Sequence, residues 1–102
     1  DAKNPIQIIP FKDILWIDAA GDYMCVHTLI ETYVMRARLK DLEKNTLPED
    51  FLRIHKSTIV NLSHIKQLNP LRNSEYMAVL DNEKNLKVSR TYSKNLKSLI
   101  KQ

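Results

Sequence analysis

Residues 51 to 61 read Phe51-Leu52-Arg53-Ile54-His55-Lys56-Ser57-Thr58-Ile59-Val60-Asn61, the most informative stretch of the chain. Its apolar and polar positions alternate before a short apolar run, which is typical of a strand with one buried face. We therefore predict a strand over Ile54 to Val60. The apolar side chains that suit a core are Phe51, Leu52, Ile54, Ile59 and Val60.

The polar side chains of this stretch have two interpretations. His55, Ser57 and Asn61 carry hydrogen-bonding groups that either brace the backbone of a tight loop or meet a ligand. Bracing is the favoured interpretation for all three. Lys56 differs, because it is long and charged and lies on what should be a connection. We predict that Lys56 contacts a partner.

Strand-like runs rich in Ile, Val, Leu, Tyr and Thr recur on both sides of this stretch. They are Ile6 to Ile9, Ile14 to Ile17, Tyr23 to Leu29, Thr32 to Arg36, Ile65 to Leu68, Glu75 to Leu80 and Leu86 to Val88. Turn-forming pairs separate several of them, at Gly21-Asp22, Asn73-Ser74 and Asp81-Asn82. The sequence predicts a mostly β fold of successive antiparallel hairpins. Because no Pro/Gly/Ser-rich linker interrupts the chain, we expect a single domain over residues 1–102.

Two segments have helical spacing instead. Around residues 37–45, Leu39 and Leu42 repeat within a charged frame, which predicts a short middle helix. Around residues 91–101, apolar side chains recur at i, i+4, i+7 and i+8, which predicts a C-terminal helix docked on the sheets. These apolar residues are Tyr92, Leu96, Leu99 and Ile100. The opposite side of this helix is predicted to carry a basic stripe of Arg90, Lys94, Lys97 and Lys101.

Charge is distributed unevenly along the chain. The net charge is +4. Residues 1–51 carry 6 Lys and Arg against 9 Asp and Glu, whereas residues 52–102 carry 10 against 3. A basic half on a folded domain indicates a surface that meets nucleic-acid phosphates or anionic lipid. A solvated basic face without a partner is the alternative.

The chain lacks the patterns of a metal site or an active site. His27, His55 and His64 have no i, i+4 spacing, and Cys25 has no second cysteine beside it. The sequence contains no Gly-rich phosphate loop and no nucleophile elbow. We expect no enzyme activity, no metal and no cofactor. We expect Cys25 to be a buried apolar residue and Trp16 to belong to the core.

Cysteine content and hydropathy bear on location. A single cysteine excludes an intrachain disulfide and fits a reducing compartment. No apolar run reaches the roughly 18 residues of a membrane span, and no signal pattern begins the chain. We expect a cytoplasmic protein without a membrane partner.

A second informative stretch is Lys87-Val88-Ser89-Arg90-Thr91-Tyr92, where a strand gives way to the final helix. Ser89 or Thr91 is suited to cap that helix. Arg90 projects from the junction and has the planar fork that pairs with guanine or clamps a phosphate. We predict Arg90 as a second contact residue.

These motifs together resemble the LytTR domain family over nearly the whole chain. Residues 14–19 with 21–23 (I-L-W-I-D-A, G-D-Y) resemble the family's opening "I-x-Y-I-E-A…G-N-Y". Residues 39–43 (L-K-D-L-E) resemble its "L-K-E-L-E" helix. Residues 51–61 resemble its "F-x-R-I-H-R-S-x-I-V-N" signature, and residues 88–92 its closing "V-S-R-x-Y". Four motifs in the right order are specific.

The resemblance implies an elongated fold of small antiparallel sheets that binds DNA through loops. Carried over by position, the groove-reaching side chains are Asp22 and Tyr23, then Lys56, then Arg90. Lys56 stands where the family often has arginine, so it keeps the charge but loses the bidentate fork. The resemblance also implies an upstream receiver domain, of which this chain is the C-terminal companion. Its DNA sites would be paired direct repeats occupied by two copies.

The resulting hypothesis is sequence-specific binding of duplex DNA, as the output domain of a bacterial two-component transcription regulator. Arg90 and Lys56 would read bases. The residues expected to contact phosphates are Ser57, Lys87, Ser89, Lys94 and Lys97. The alternatives are a basic β-barrel-like module that binds single-stranded nucleic acid, and a module that binds a protein partner or an anionic membrane.

Overall fold

The computed structural model describes residues 6–97, with side chains through Leu96. The fold is mostly β and elongated, 55 × 23 × 21 Å along its principal axes. The strands are β1 Ile14–Ala20, β2 Tyr23–Thr28, β3 Thr32–Arg36, β4 Phe51–His55, β5 Thr58–Asn61, β6 Ile65–Pro70, β7 Tyr76–Leu80 and β8 Asn85–Val88. The helices are α1 Leu39–Asn45 and α2 Arg90–Lys97. The predicted fold class is confirmed, with both helices in their expected places.

The strands form two antiparallel sheets. One has five strands in the order β3-β2-β1-β5-β4, and the other has three in the order β6-β7-β8. Because neighbours in the first sheet run antiparallel, β1, β3 and β4 end at the same edge where β2 and β5 begin. The turns at residues 21–22 and 56–57 therefore lie at the same end of the sheet. We call this end, together with residues 36–40 and 89–90, the loop end.

The first sheet buries both faces against different elements. One face packs with the second sheet and α2 around a cluster of Leu15, Ile54, Val60, Ala78, Leu80, Leu86, Val88 and Leu96. The other face packs beneath α1 around Ile14, Ile17, Met24, Val26, Leu39, Phe51 and Ile59. Fully burying one such side chain contributes about 1.5–3 kcal/mol. The two clusters hold α1 and α2 on opposite faces of one sheet. The position of each helix relative to the loop end is therefore fixed.

Two strand predictions are corrected. Residues 6–9 form no strand, and Ile6 and Ile8 are almost fully exposed because no neighbouring strand pairs with them. The strand predicted over Ile54 to Val60 is two strands, β4 and β5, joined by a turn at Lys56 and Ser57. The strand-like composition on both sides carried the predicted strand across the polar run at residues 55–58, where the turn lies.

The structure also tests the expectations for Cys25, for Trp16 and for the docking face of the C-terminal helix. Cys25 is half-buried instead of buried, because its strand buries Met24 and Val26 on the opposite face. Trp16 packs against the core between the two sheets, as expected, and one face of its ring stacks on His27 at 3.9 Å. In α2, Leu96 is buried and Tyr92 half-buried, which confirms the docking face. Leu99, Ile100 and Lys101 lie outside the described residues.

Candidate nucleic-acid interface

Backbone hydrogen bonds hold three connections together at the loop end. The Ala19 N–H donates to the Ser57 carbonyl at 2.9 Å, which ties the β1–β2 turn to the β4–β5 turn. The Ser89 N–H donates to the Ile54 carbonyl at 2.9 Å, which ties the β8–α2 junction to the end of β4. The segments that carry Asp22, Lys56 and Arg90, far apart in sequence, therefore belong to one surface.

The β1–β2 turn presents Asp22 and Tyr23. Gly21 has a φ of 63°, a left-handed conformation that glycine adopts without strain. Asp22 follows it and is exposed, and the Tyr23 side chain is 51% exposed at the start of β2. Both side chains are thus available at the surface instead of packing into the core.

The guanidinium of Arg53 holds the β4–β5 turn in place. Its Nε donates to the His55 carbonyl at 3.1 Å, and its Nη2 donates to the Lys56 carbonyl at 2.8 Å. Its Nη1 bonds the Glu43 carboxylate on α1 at 2.8 Å. The Lys56 backbone is therefore fixed, while the Lys56 side chain remains exposed and has no ion-pair partner among the described residues. Sequence reasoning assigned Arg53 only a charge and missed this role.

The other polar side chains of the signature brace the backbone. The Ser57 N–H donates to Nδ1 of His55 at 3.1 Å within the turn. Asn61 is buried, donates from Nδ2 to the Ile14 carbonyl at 2.9 Å, and accepts from the Ser63 N–H at 3.0 Å. The bracing interpretation is confirmed for His55 and Asn61, whereas the Ser57 hydroxyl lies 3.1 Å from Nδ1 of His55, another side chain. Asn61 lies at the far end of β5 from Lys56.

The β8–α2 junction presents Arg90. Helix α2 begins at Arg90, so Ser89 occupies the N-cap position and Thr91 lies inside the first turn. The Asn95 amide donates to the Arg53 carbonyl at 3.2 Å and fastens α2 to β4. Arg90 is exposed and lines a cleft of about 410 Å³ together with Asn73 of the β6–β7 loop.

The lysines expected to contact phosphates differ in their surroundings. Lys87 forms an ion pair with Glu75 at 3.2 Å, so part of its charge is already neutralised. Lys94 is exposed on α2 and has no ion-pair partner among residues 6–97. The Lys97 side chain lies outside the described part of the molecule. Lys94 is therefore the stronger of the two described phosphate candidates.

An open groove of about 810 Å³ adjoins the Lys56 turn. Its walls are the β1–β2 turn, the segment from the end of β3 into α1, and the β4–β5 turn. The exposed cations that line it are Arg36, Arg38, Lys40 and Lys56. Sequence reasoning missed the first three as contact residues; all three lie in the acidic half of the chain. The spacing Arg36-x-Arg38-x-Lys40 directly after a strand was the available signal.

Residues 6–97 contain no group of three His, Cys, Asp or Glu side chains placed to hold a metal ion. No helix in this part of the chain has the length and apolar composition that crossing a membrane requires.

Comparison with known proteins gives a consistent result. The family model described as the LytTr DNA-binding domain matches residues 4–101. A sensory transduction protein LytT of Bacillus cereus is 35% identical over 99 residues, which are 97% of this chain and 40% of that protein. A transcriptional regulatory protein LytR of Staphylococcus aureus is 32% identical over 100 residues, 98% of this chain and 41% of that protein. The chain thus spans about 40% of the length of these relatives.

A solved structure shares the fold. It is described as the LytTr DNA-binding domain of a response regulator from Bacillus cereus, and it is 27% identical to this chain. The two superpose with a TM-score of 0.82, over 89% of this chain and 84% of that one.

Proposed function

Because the chain belongs to the LytTr DNA-binding domain family, we propose that its loop end binds duplex DNA in a sequence-specific manner. The observation that carries the proposal is the joining of three connections on one surface, where Lys56 and Arg90 are exposed and free of ion pairs among residues 6–97. We further propose that the domain is the output module of a bacterial two-component transcription regulator.

Base reading falls to Arg90 and Lys56 in this proposal. The guanidinium fork of Arg90 matches the two acceptors of a guanine in the major groove, whereas Lys56 donates as a point charge. Asp22 and Tyr23 supply a third contact, since both are exposed beside the Lys56 turn. The hydrogen bonds from Arg53 favour this role for Lys56, because a fixed backbone lowers the entropic cost of placing its side chain.

Phosphate contacts orient the domain on the duplex. Lys94 follows Arg90 by one turn of α2 and extends the contact along a backbone strand. Lys97 is proposed as a further phosphate contact from its place in the sequence alone. Ser57 and Ser89 each lie next to a base-reading residue and supply neutral contacts. Lys87 contributes less than Lys94, because its ammonium already pairs with Glu75.

The intact protein is proposed to be larger than this domain. Residues 1–102 form one domain, and a phosphorylatable receiver domain precedes it, in keeping with relatives in which the matching segment is about 40% of the length. Two copies then occupy paired direct repeats about one helical turn apart in promoters, and the protein acts in the cytoplasm.

The test is selection of bound sequences from a random duplex library at near-physiological salt. We expect one recurring motif that binds at least a thousandfold more tightly than scrambled duplex. A single-stranded competitor of the same sequence should compete poorly. Binding that is weak, unselective and lost on addition of salt, or that prefers single strands, would contradict the proposal.

A further inference from the structure

We propose that the groove beside the Lys56 turn is a second phosphate-binding surface, on which Arg36, Arg38 and Lys40 hold the DNA backbone flanking the bases that the loops read. The inference rests on the proposed DNA binding and adds these three cations to it; the groove also includes other residues of the family-like motifs, among them Asp22, Arg53 and Lys56. It predicts a longer footprint on the DNA than the loops alone would give.

The first argument is that these cations have no partner of their own. Arg36, Arg38 and Lys40 are exposed, and none of them forms an ion pair among residues 6–97. Elsewhere at the surface, Lys66 pairs with Glu83 and Lys87 with Glu75. Since unpaired cations gathered on one side of a groove repel one another, an anion that binds there relieves this repulsion.

The backbone between the end of β3 and the start of α1 places two arginines on the same side of the chain. Arg36 ends β3, and Arg38 has an extended backbone with φ −110° and ψ 137°. Ala37 between them packs inward against the core beneath α1. The two arginines therefore point outward on the same side, about 6.6 Å apart along the chain. Each DNA strand carries one phosphate per about 3.4 Å of helix axis, and neighbouring phosphates also turn around that axis, so two cations at this spacing reach neighbouring phosphates of one strand.

The third argument is continuity with the proposed base-reading surface. Lys56 lines the groove at the β4–β5 turn, and Asp22 lines it at the β1–β2 turn. A backbone strand that passes Lys56 therefore runs directly into the groove. Arg53 sits between the two walls and bonds both Glu43 of α1 and the Lys56 carbonyl, so the walls keep a fixed separation.

The carboxylates of the groove limit what it accepts. Asp22 and Asp41 also line it, against the four exposed cations. Small anions would be repelled by these carboxylates as much as they are attracted by any one cation. A phosphodiester chain differs, because it contacts several cations in succession and releases counterions at each. The arrangement therefore favours a continuous nucleic-acid backbone over a free phosphate.

The experiment compares two double variants on the selected duplex and on versions shortened from each end in turn. R38Q/K40Q removes two groove charges. K12Q/K44Q is the matched control, because Lys12 and Lys44 are exposed, lack ion pairs among residues 6–97 and lie outside the groove. The salt dependence of the dissociation constant is measured for both variants and the wild type, with inorganic phosphate as an added competitor.

We expect R38Q/K40Q to lower the salt slope by about 1.8, at about 0.9 for each lost phosphate contact, while the control stays near the wild type. Shortening the duplex at one end should weaken the wild type to the level of R38Q/K40Q and leave that variant unchanged. Equal slopes for R38Q/K40Q and wild type on a selected duplex would overturn the groove proposal alone. Failure of the wild type to select any duplex would overturn the proposed function itself, and competition by millimolar phosphate would make the groove a free-anion site.

Discussion

The two ends of the five-stranded sheet are built from the same strands but have opposite chemistry. The loop end carries exposed cations without ion-pair partners in the described chain, among them Arg38, Lys56 and Arg90. At the other end, which we call the apolar end (residues 8–13, 28–31, 62–64 and 81–84), Ile8 is 87% exposed and Ile30 is 93% exposed. One end is therefore suited to a polyanion and the other is not.

At the apolar end, His64, Glu83 and Lys84 have internal partners, whereas Lys12 is exposed and forms no ion pair among residues 6–97. His64 bonds Asp81 through Nδ1 at 2.8 Å and the Lys12 carbonyl through Nε2 at 2.6 Å. Lys84 lies over the Trp16 ring at 5.2 Å, and Lys66 pairs with Glu83. The comparison teaches that unpaired cations gather at one end of this domain. Four exposed cations line the groove at the loop end, whereas Lys12 is the one lysine of the described apolar end without an ion pair or a ring contact.

The largest effect is expected for Arg90→Ala. Loss of the fork should weaken binding to the selected duplex by about 1–3 kcal/mol and relax the preference at one base position. Titration against duplexes substituted at each position measures both, with Lys12→Ala at the apolar end as the control. If Arg90→Ala weakened binding to selected and scrambled duplexes equally, Arg90 would contact a phosphate and not a base.

Arg53→Met should come next, although Arg53 need not touch DNA. The variant keeps the length of the side chain but leaves the carbonyls of His55 and Lys56 without their charged donor, a loss of about 1–3 kcal/mol in stability if neither finds water. We also expect specific binding to weaken about tenfold, a loss of about 1.4 kcal/mol in binding free energy, because the Lys56 backbone is no longer fixed. Chemical denaturation at a fixed pH and titration with the selected duplex measure the two effects.

Glu43→Gln separates the two roles of Arg53. It removes only the ion pair with α1 and leaves the hydrogen bonds from Arg53 to the turn. Binding should remain within about threefold of the wild type. A loss as large as that of Arg53→Met would mean that α1, and not the turn, governs the position of Lys56.

A smaller, sequence-independent effect is expected for Lys94→Ala. Removing one free phosphate contact should weaken binding to every duplex and lower the salt slope by about 0.9. Lys87→Ala is the comparison, and its change should be smaller because Glu75 already shares its charge. The reverse order of the two slopes would show that the Lys87–Glu75 pair opens on DNA.

The smallest effect on binding is expected at the apolar end. Burial lowers the pKa of His64, but the hydrogen bond to the Lys12 carbonyl and the interactions with Asp81 outweigh burial and raise it above the ordinary 6.5. The protonated ring therefore stabilises the fold fully below about pH 6.5, and this contribution is lost as the pH rises through the raised pKa.

His64→Asn should flatten that pH dependence and leave DNA affinity unchanged. Denaturation midpoints between pH 5 and pH 9 measure the first effect, and titration with the selected duplex measures the second. A wild-type stability that rises with pH over this range would contradict the assignment, and a large loss of affinity would contradict the division between the two ends.

The sequence predicted the fold class and most strands, because alternation and turn-forming pairs are local signals. It placed a single strand over Ile54 to Val60, whereas hydrogen bonds from the Arg53 side chain to the carbonyls of His55 and Lys56 hold a turn there. Residues 6–9 had strand composition but no strand to pair with. Their composition alone did not contain that information.

The candidate site was predicted in part. The motifs led to Lys56 and Arg90, and the structure gathers their loops with the Asp22 turn. Arg36, Arg38 and Lys40 were missed as contacts because charge was counted by halves of the chain, whereas β3 and β4, at opposite edges of the sheet, both end at the loop end and contribute residues to one groove. Surface charge follows sheet topology and not position along the chain.

The most direct test of the account is to map chemical-shift changes along the backbone of the domain during titration with its selected duplex. We predict the largest changes at residues 21–23, 36–40, 55–57 and 89–91, with residues 28–31, 62–64 and 81–84 unchanged. Largest changes at the apolar end would contradict the assignment of DNA binding to the loop end.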